Sequence, residues 1–528
     1  MQEPWCEAPA TGGKTEIQNG IIQILFMTFP KSKKFLFMNS ERLDRKAFKS
    51  AGPTLALRVL TQALQLVVGI LMVRMLMPAD YGIWGILNVF WTVCNMFIYG
   101  GFASALVQKK EVDEVDLCSV FYYNMVLSLV CVAVLWVAAP WVAGFFGQPV
   151  LKDLLRFVAW ILPMMAFAIT HNVLLSREMR QDVSNLCLFV GTVLGMPYSL
   201  WLAWKGYGAW AFAQPMMLST AISSLLVMGY VRWRPKLCFS FAALGRLFKY
   251  GSNLLIAGLI DSIFGNVYNL IIGKVYPIAT LGYYERGRQY AALWPQSIQW
   301  TVSSVLFAAF SKIQEDVPRL RNAVAASLKM CVFIIFFPSI LLGVLAVPFV
   351  TLVLSEKWLP IVPYFQVLTI SFVLFPIQYM NLQIPCARGK SGIYLGLVIA
   401  DKVLLLLNVL CTVWFGVMAM VWGMVVVSSL SLFLYSRYPK WVIGYSLGNQ
   451  FRDCFPYLLH SVLASAGAWG LYRLIYPWHA WLGLLVPGFV GCALYAFLNW
   501  WFQTEAFVTA WRLGQQQLQQ LRKKENRN

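Results

Sequence analysis

Apolar segments of about twenty residues recur along almost the whole chain, separated by short polar connections. A helix of that length crosses the hydrocarbon core of a bilayer, whereas the strands of a membrane barrel would appear as alternating segments of about ten residues. We count about fourteen such spans, over residues 54–77, 83–107, 117–139, 154–176, 183–204, 207–231, 251–275, 290–310, 323–347, 361–385, 391–414, 417–435, 453–475 and 480–503. Hydrophobic residues form 59% of the chain and charged residues 12%, a balance that no soluble core could bury. The sequence therefore predicts an all-α, polytopic membrane protein.

The basic residues of the connections fall mostly on one side of the predicted membrane. One set of connections contains most of them, including Lys109, Arg177, Lys312 and the segment 232–249, and the opposite set contains a handful. Cytoplasmic loops carry the excess of Lys and Arg. We therefore expect both termini to be cytoplasmic, and the net charge of +20 reflects orientation in the membrane and not nucleic-acid binding.

Two stretches about two hundred residues apart share one pattern. Residues 55–87 read LALRVLTQALQLVVGILMVRMLMPADYGIWGIL, and residues 253–287 read NLLIAGLIDSIFGNVYNLIIGKVYPIATLGYYERG. Arg74 aligns with Lys274, and Gly82 aligns with Gly282. The pattern predicts two six-span lobes, and an even number of spans in each makes their pseudo-twofold axis run along the membrane normal. The last two spans fall outside the repeat. The alternative to a true repeat is a chance alignment of two apolar helices.

Each copy of the repeat has a Pro and a Gly after its first span. We expect Pro78, Tyr81, Gly82 and Gly282 to form structural turns where the chain reverses between spans. At the two glycines, a backbone conformation that disfavours a Cβ would explain the residue type.

The chain divides into six predicted regions. They are a cytoplasmic N-terminal segment (1–50), an N-lobe (51–231), a basic cytoplasmic connection (232–250), a C-lobe (251–435), two further spans (436–503) and a basic cytoplasmic tail (504–528). Met38 opens a plausible start, and the short apolar run before it lacks the features of a signal peptide. We expect residues 1–37 to be a misassigned start or a disordered extension.

An ionisable residue deep inside a predicted span costs free energy unless it faces a cavity or a partner. Asp261 is near the middle of the seventh span. It either faces a cavity and couples transport to an ion, or it forms a structural hydrogen bond. Asp401 and Lys402 are equally deep in the eleventh span, and as helix neighbours they point about 100° apart and cannot pair with each other. Arg58, in the first span, either faces a cleft or extends to the cytoplasmic interface.

The eighth span contains Gln296, Gln299 and Trp300, which share one helical face. Amide and aromatic side chains together suit sugar rings, by hydrogen bonding and stacking. The alternative is an interfacial Trp with glutamines that pack helices together.

Signatures of catalysis are missing from the sequence. It has no P-loop and no CxxC pair, and His171, His460 and His479 lie far apart. We therefore expect neither an enzyme nor a cofactor nor a metal site.

The segment LMVRMLMPADYGIWGIL resembles the polysaccharide transporter (O-antigen and exopolysaccharide flippase) family of the multidrug/oligosaccharidyl-lipid/polysaccharide exporter superfamily. The family's Arg-x-Leu-x-Pro-x-x-Tyr-Gly pattern is matched by Arg74, Leu76, Pro78, Tyr81 and Gly82, although Met77 stands where Gly is common. Gln108-Lys-Lys and Tyr283-Tyr-Glu-Arg-Gly resemble its colanic-acid and teichuronic-acid exporter-like members. The resemblance covers roughly residues 45–500.

The resemblance implies a bacterial inner-membrane flippase for surface polysaccharide, lipopolysaccharide or exopolysaccharide biosynthesis. Such proteins move a polyprenyl-pyrophosphate-linked oligosaccharide to the periplasmic leaflet by alternating access, with proton or sodium coupling in some members. The expected partners are this lipid-linked oligosaccharide, membrane lipids and a polysaccharide polymerase or export machinery.

On this interpretation, charged side chains carry the transport. We expect Arg58 and Lys402 to hold the pyrophosphate in a cleft between the lobes. Lys274, Arg286 and Arg288 would be periplasmic exit charges, and Asp261 and Asp401 would be coupling acids.

Three other functions remain open. A drug/cation antiporter of the same superfamily usually has about twelve spans and needs acids in its cleft. A flippase for the peptidoglycan precursor has a denser set of cleft arginines. A membrane-embedded glycosyltransferase or polymerase needs a large periplasmic loop, and the sequence has none.

Overall fold

A computed structural model describes residues 57, 60–99, 102–109, 112–178, 180–476 and 480–525, apart from some side chains within these ranges. Every regular element in the described ranges is a helix. The first eight are α1 (Leu60–Met75), α2 (Pro78–Tyr99), α3 (Phe102–Gln108), α4 (Glu114–Phe146), α5 (Val150–Ala159), α6 (Ile161–Arg177), α7 (Gln181–Trp204) and α8 (Trp210–Tyr230). Then follow α9 (Phe241–Gly265), α10 (Val267–Val275), α11 (Ile278–Lys312), α12 (Val317–Val344), α13 (Ala346–Phe349), α14 (Ile361–Ala387), α15 (Ser391–Thr412), α16 (Val417–Ile443), α17 (Leu447–Ile475), α18 (Ala480–Trp501) and α19 (Glu505–Glu525). A π-helix at Val350–Leu354 and 3-10 helices at Glu356–Trp358 and Val413–Phe415 complete the set.

Described helices occupy all fourteen predicted span positions, so the predicted all-α membrane fold is confirmed. Ten of them are long and apolar enough to cross a membrane. The others are α1, the pair α9 and α10, α11 and α17. Three of these four positions contain polar residues whose side chains form pairs: Asp261 in α9, Glu285 and Arg288 in α11, and Gln450 in α17.

The helices form two groups, here called the N-terminal lobe (α1–α8) and the C-terminal lobe (α9–α16). Within the first, α8 packs on α7 and α6, and α4 packs on α5 and α6; within the second, α14 packs on α11, α12 and α16. The lobes meet mainly where α2 packs along α11, with α9 against α2 and α3. Because α2 and α11 occupy equivalent places in the repeat, they form the central seam between the lobes.

The connections lie at two opposite ends of the helices. The end where α1 meets α2 and α10 meets α11 is called the Arg74 face, and the end that holds the connection from α8 to α9 is called the Lys236 face. At the Arg74 face the connections are short, and only Tyr276 and Pro277 separate α10 from α11. Pro78 begins α2, a position where proline's missing N–H removes no helical hydrogen bond.

The predicted start of the eighth span, near residue 290, is wrong. The helix α11 begins at Ile278 and includes Glu285, Arg286 and Arg288. These charged residues resemble a loop by hydropathy, but they contact other side chains at the seam between the lobes and so remain helical.

The last helices attach to the C-terminal lobe. Both α17 and α19 pack on α12, and Lys329 of α12 lies 2.7 Å from Glu505 and 3.6 Å from Asp453. The Tyr457 hydroxyl accepts a hydrogen bond of 3.1 Å from the Ala506 amide, which fixes the beginning of α19. The final helices therefore brace the C-terminal lobe.

Candidate functional site

Hydrogen bonds from C-terminal-lobe side chains hold the end of α1 at the Arg74 face. The Trp358 indole donates to the Val73 carbonyl at 2.8 Å and is completely buried, and the Lys357 ammonium donates to the Arg74 carbonyl at 2.6 Å. The last carbonyls of a helix have no partner within it, so these donors satisfy them. Burial lowers the pKa of Lys357.

Arg74 and Lys274, which align in the repeat, make equivalent contacts across the seam. The Arg74 guanidinium donates to the Val353 carbonyl at 2.8 Å and to the Leu352 carbonyl. The Lys274 ammonium donates to the Phe145 carbonyl at 2.6 Å and lies 4.2 Å from the centre of the Phe145 ring. Each basic side chain thus joins one lobe to carbonyl groups of the other.

Gly82 and Gly282 face each other's helices at the same seam. A Cβ on Gly82 would lie 2.0 Å from the Ile278 carbonyl oxygen, and one on Gly282 would lie 1.9 Å from the Pro78 carbonyl oxygen. The prediction that these glycines sit in turns is wrong, since each is the fifth residue of its helix, α2 or α11, and neither has a positive φ. Close approach of two backbones, and not a left-handed conformation, explains the need for glycine.

Aromatic rings fill the space beside these glycines. Tyr81 is buried, and the Arg286 guanidinium lies 3.8 Å from the centre of its ring. The Tyr81 ring also meets the edge of Trp358, at 5.2 Å between centres. The cation–π contact therefore joins the two lobes at a third point.

A carboxylate neutralises the deepest arginine of α11. The Arg288 guanidinium lies 2.9 Å from the Glu285 carboxylate, which also accepts a 2.8 Å hydrogen bond from Asn269. Arg288 is ten residues beyond Ile278, or about 15 Å along the helix. Arg286 and Arg288, which we expect to be periplasmic exit charges, both lie inside α11, and the Glu285 carboxylate holds Arg288.

The ionisable residues predicted inside the seventh and eleventh spans come together as a pair. The Lys402 ammonium of α15 lies 3.3 Å from the Asp261 carboxylate of α9. The Asp401 carboxylate accepts a 2.6 Å hydrogen bond from Ser431 of α16, so the two neighbours do point to different partners. The Lys402 side chain is 17% exposed and that of Asp261 is 79% exposed. An exposed carboxylate inside a span needs water or a cation beside it.

Further polar residues of this region were not predicted from the sequence. Asn408 of α15 donates to the hydroxyl of Tyr268 and to the Met420 carbonyl, the latter at 3.1 Å. The Tyr268 ring stacks on Tyr284, with 6.2 Å between centres. Single Asn and Tyr residues in apolar helices give no distinctive signal in the sequence. Glu285 could have been identified, because it is a charged residue within the second copy of the repeat.

Three predicted site residues, Arg58, Gln299 and Trp300, are described partly or not at all. Arg58 lies outside the described residues, as do residues 1–37. Gln296 is exposed on α11, and the side chains of Gln299 and Trp300 lie outside the described part. Within the part of the chain that the structure describes, no cluster of His, Cys, Asp and Glu could hold a metal ion.

Comparisons with known proteins place this architecture. Residues 71–363 match a family described as polysaccharide biosynthesis protein. The chain is 23% identical over 372 residues to the teichuronic acid biosynthesis protein TuaB of Bacillus subtilis, an alignment covering 69% of this chain and 76% of the relative. It is 25% identical over 278 residues to the lipopolysaccharide biosynthesis protein WzxC of Escherichia coli, covering 51% and 55%.

A solved structure shares the fold. The lipid II flippase MurJ, in its inward closed conformation, superposes with a TM-score of 0.68 at 14% identity, covering 85% of this chain and 98% of that one. The family match over residues 71–363 confirms the family suggested by the Arg74–Gly82 pattern. Because the family match extends over more than half of the sequence, from α1 into α14, the chain belongs to the polysaccharide biosynthesis protein family.

Proposed function

We propose that this protein moves a polyprenyl-pyrophosphate-linked oligosaccharide across the bacterial inner membrane by alternating access. No bond is made or broken, and a polysaccharide polymerase or export machinery then uses the product. The observation that carries the proposal is the set of reciprocal contacts between the lobes at the Arg74 face, centred on Gly82 and Gly282. The names of TuaB and WzxC, which concern teichuronic acid and lipopolysaccharide, support the substrate class.

Basic side chains inside the spans suit a pyrophosphate. Moving bare charge into hydrocarbon costs many kcal/mol, and a hydrated cleft lined by cations lowers that cost. Lys402 is the best-placed cation, because it is deep in α15 and its carboxylate partner is exposed. Arg58 is a second candidate from the sequence.

The pair formed by Lys402 and Asp261 supports a coupling scheme. A phosphate that binds the Lys402 ammonium competes with Asp261, and the released carboxylate then takes up a proton or a sodium ion. When the phosphate leaves, the pair re-forms and the ion is released. Asp401, held by Ser431, would be a second acid of this path.

The Lys402–Asp261 pair gives a direct mutational test. We expect Lys402→Ala to lower flipping at least about tenfold at normal protein levels, because the pyrophosphate loses a charged contact. Asp261→Asn should keep substrate binding and change the dependence of transport on pH. Lys390→Ala, at the exposed end of the same helix, is the matched control and should behave like the parent. If Asp261 and Asp401 prove essential and Lys402 dispensable, the drug/cation antiporter is the better proposal.

The proposal also fixes the orientation. We infer that the Lys236 face and both termini are cytoplasmic, because Lys and Arg concentrate in the connections at that face. Reporter fusions after Arg246 and at the C-terminus should be active in the cytoplasm, and a fusion after Tyr276 should be active in the periplasm. A periplasmic signal after Arg246 would contradict the six-plus-six arrangement.

A further inference from the structure

A groove of about 580 Å³ lies between the lobes directly beside Lys274. One side is formed by α2 at Phe90 and by α4 from Ala138 to Phe146, both in the N-terminal lobe. The other side is α10 from Leu270 to Val275, in the C-terminal lobe. Because its walls belong to different lobes, the shape of the groove changes whenever the lobes move apart.

The walls are apolar and partly aromatic. The Trp141 side chain is 77% exposed and that of Phe145 is 55% exposed. From Phe146 at the Arg74 face, the wall on α4 descends eight residues to Ala138, or about 12 Å. That depth lies within one leaflet of a bilayer, whose hydrocarbon core is about 30 Å thick. The groove therefore offers an apolar chain a place in the leaflet at the Arg74 face.

Among the described residues that line this groove, Lys274 is the one with a charge, and it stands at the rim. Its ammonium has three N–H donors, and the Phe145 carbonyl takes one of them. No ion pair formed by the described residues includes Lys274. Two donors thus remain for an anion at the level where lipid headgroups begin.

We propose that this groove binds a polyprenyl phosphate lipid, with the phosphate on Lys274 and the isoprenoid chain along the walls. A single groove fits a lipid with one chain, whereas a phospholipid presents two. The inference rests on the proposed function, and it identifies the groove as the place where the lipid part of the product enters the leaflet at the Arg74 face.

The test measures binding of undecaprenyl phosphate to the full-length protein in nanodiscs of zwitterionic lipid, by native mass spectrometry. Lys274→Gln should weaken binding about tenfold, because a charged contact is lost. Ala138→Phe, which fills the groove, should weaken it to a similar degree. Lys205→Gln is the matched control: Lys205 also lies at the Arg74 face over an aromatic ring, 4.8 Å from the centre of Trp204, and is outside the groove.

A second ligand separates a polyprenyl site from a general lipid site. Phosphatidylglycerol should bind more weakly than undecaprenyl phosphate and should be insensitive to Lys274→Gln. Equal binding of the two lipids, both weakened by Lys274→Gln, would assign the groove to anionic lipids in general and overturn the proposal. Equal affinity of Lys274→Gln and Lys205→Gln for undecaprenyl phosphate would also overturn it.

Flipping of a lipid-linked oligosaccharide, measured on the same variants, distinguishes failure of the groove proposal from failure of the proposed function. Active flipping with no binding at the groove rejects the groove alone. Binding that depends on Lys274, in a wild-type protein that flips nothing, rejects the proposed function and leaves the groove as a lipid site.

Discussion

Gly282→Val should abolish most transport while the protein still inserts into the membrane. The new side chain would place an atom about where the Pro78 carbonyl oxygen lies, since even a Cβ would be 1.9 Å from it. Backbone cannot give way as a flexible side chain can, so α2 and α11 must separate and the Arg74 face must open. Overpacking of this kind costs about 1–3 kcal/mol or more, and we expect transport to fall at least about tenfold. The measurement is polysaccharide production in cells at matched protein levels.

Gly144→Val is the control for this experiment. Gly144 is also helical and lies near the Arg74 face, but a Cβ there meets no atom within 4 Å. We expect this variant to transport like the parent, and Gly82→Val to resemble Gly282→Val because its Cβ would lie 2.0 Å from the Ile278 carbonyl oxygen. Equal tolerance of Val at all three positions would remove the seam from the mechanism.

Arg288→Met should be the most destabilising single change at the seam. It leaves the Glu285 carboxylate, 18% exposed, with Asn269 as its one remaining hydrogen-bond partner among the described residues. Loss of one member of a buried ion pair costs about 3–5 kcal/mol, and partial exposure places this pair toward the lower end. Thermal unfolding of the purified protein measures the effect.

The double variant Glu285→Gln with Arg288→Met separates charge from packing. Removing both charges should restore much of the lost stability, because no unpaired carboxylate remains. Lys236→Met breaks an exposed pair with Glu114, at 2.8 Å, and should change stability little. If Arg288→Met is as mild as Lys236→Met, then Glu285 and Arg288 are not a structural pair.

The number and position of the helices could be predicted from hydropathy, but the start of α11 could not. Glu285, Arg286 and Arg288 make the first third of this helix polar, and only the three-dimensional pairing of Arg288 with Glu285, and of Arg286 with the Tyr81 ring, explains why it stays helical. A hydropathy value is an average over a window of sequence, and it does not include contacts with residues elsewhere in the fold. Polar residues that pair across a seam therefore look like a loop.

Long-range partners were the part of the site that sequence reasoning could not supply. Asp261 and Lys402 were each identified as costly inside a span, yet their contact joins residues 141 positions apart and no local pattern predicts it. The repeat was more informative. It paired Arg74 with Lys274 and Gly82 with Gly282, and these residues make equivalent contacts in space. Both glycines exclude a Cβ as expected, but they do so because two helices pack closely and not because the chain turns there.

Two features together describe how the protein would work: the closed Arg74 face, and the charged residues inside the spans. The lobes touch at the Arg74 face through contacts that repeat across the seam, so one movement can break them together. Under the proposed function, Lys402 would exchange the Asp261 carboxylate, 3.3 Å away, for a phosphate of the substrate. Each part is separately testable, through Gly282 for the movement and Lys402 for the charge.

Flipping by the purified protein in liposomes is the most direct measurement of the central claim. A polyprenyl-pyrophosphate-linked oligosaccharide is incorporated, and its exposure on the outer leaflet is followed over time with a lectin. We predict rapid exposure with the wild-type protein, slow exposure with Lys402→Ala and Gly282→Val, and wild-type rates with Lys390→Ala and Gly144→Val. Exposure by the wild-type protein at the rate of protein-free liposomes, at each pH and sodium gradient applied, would contradict the account.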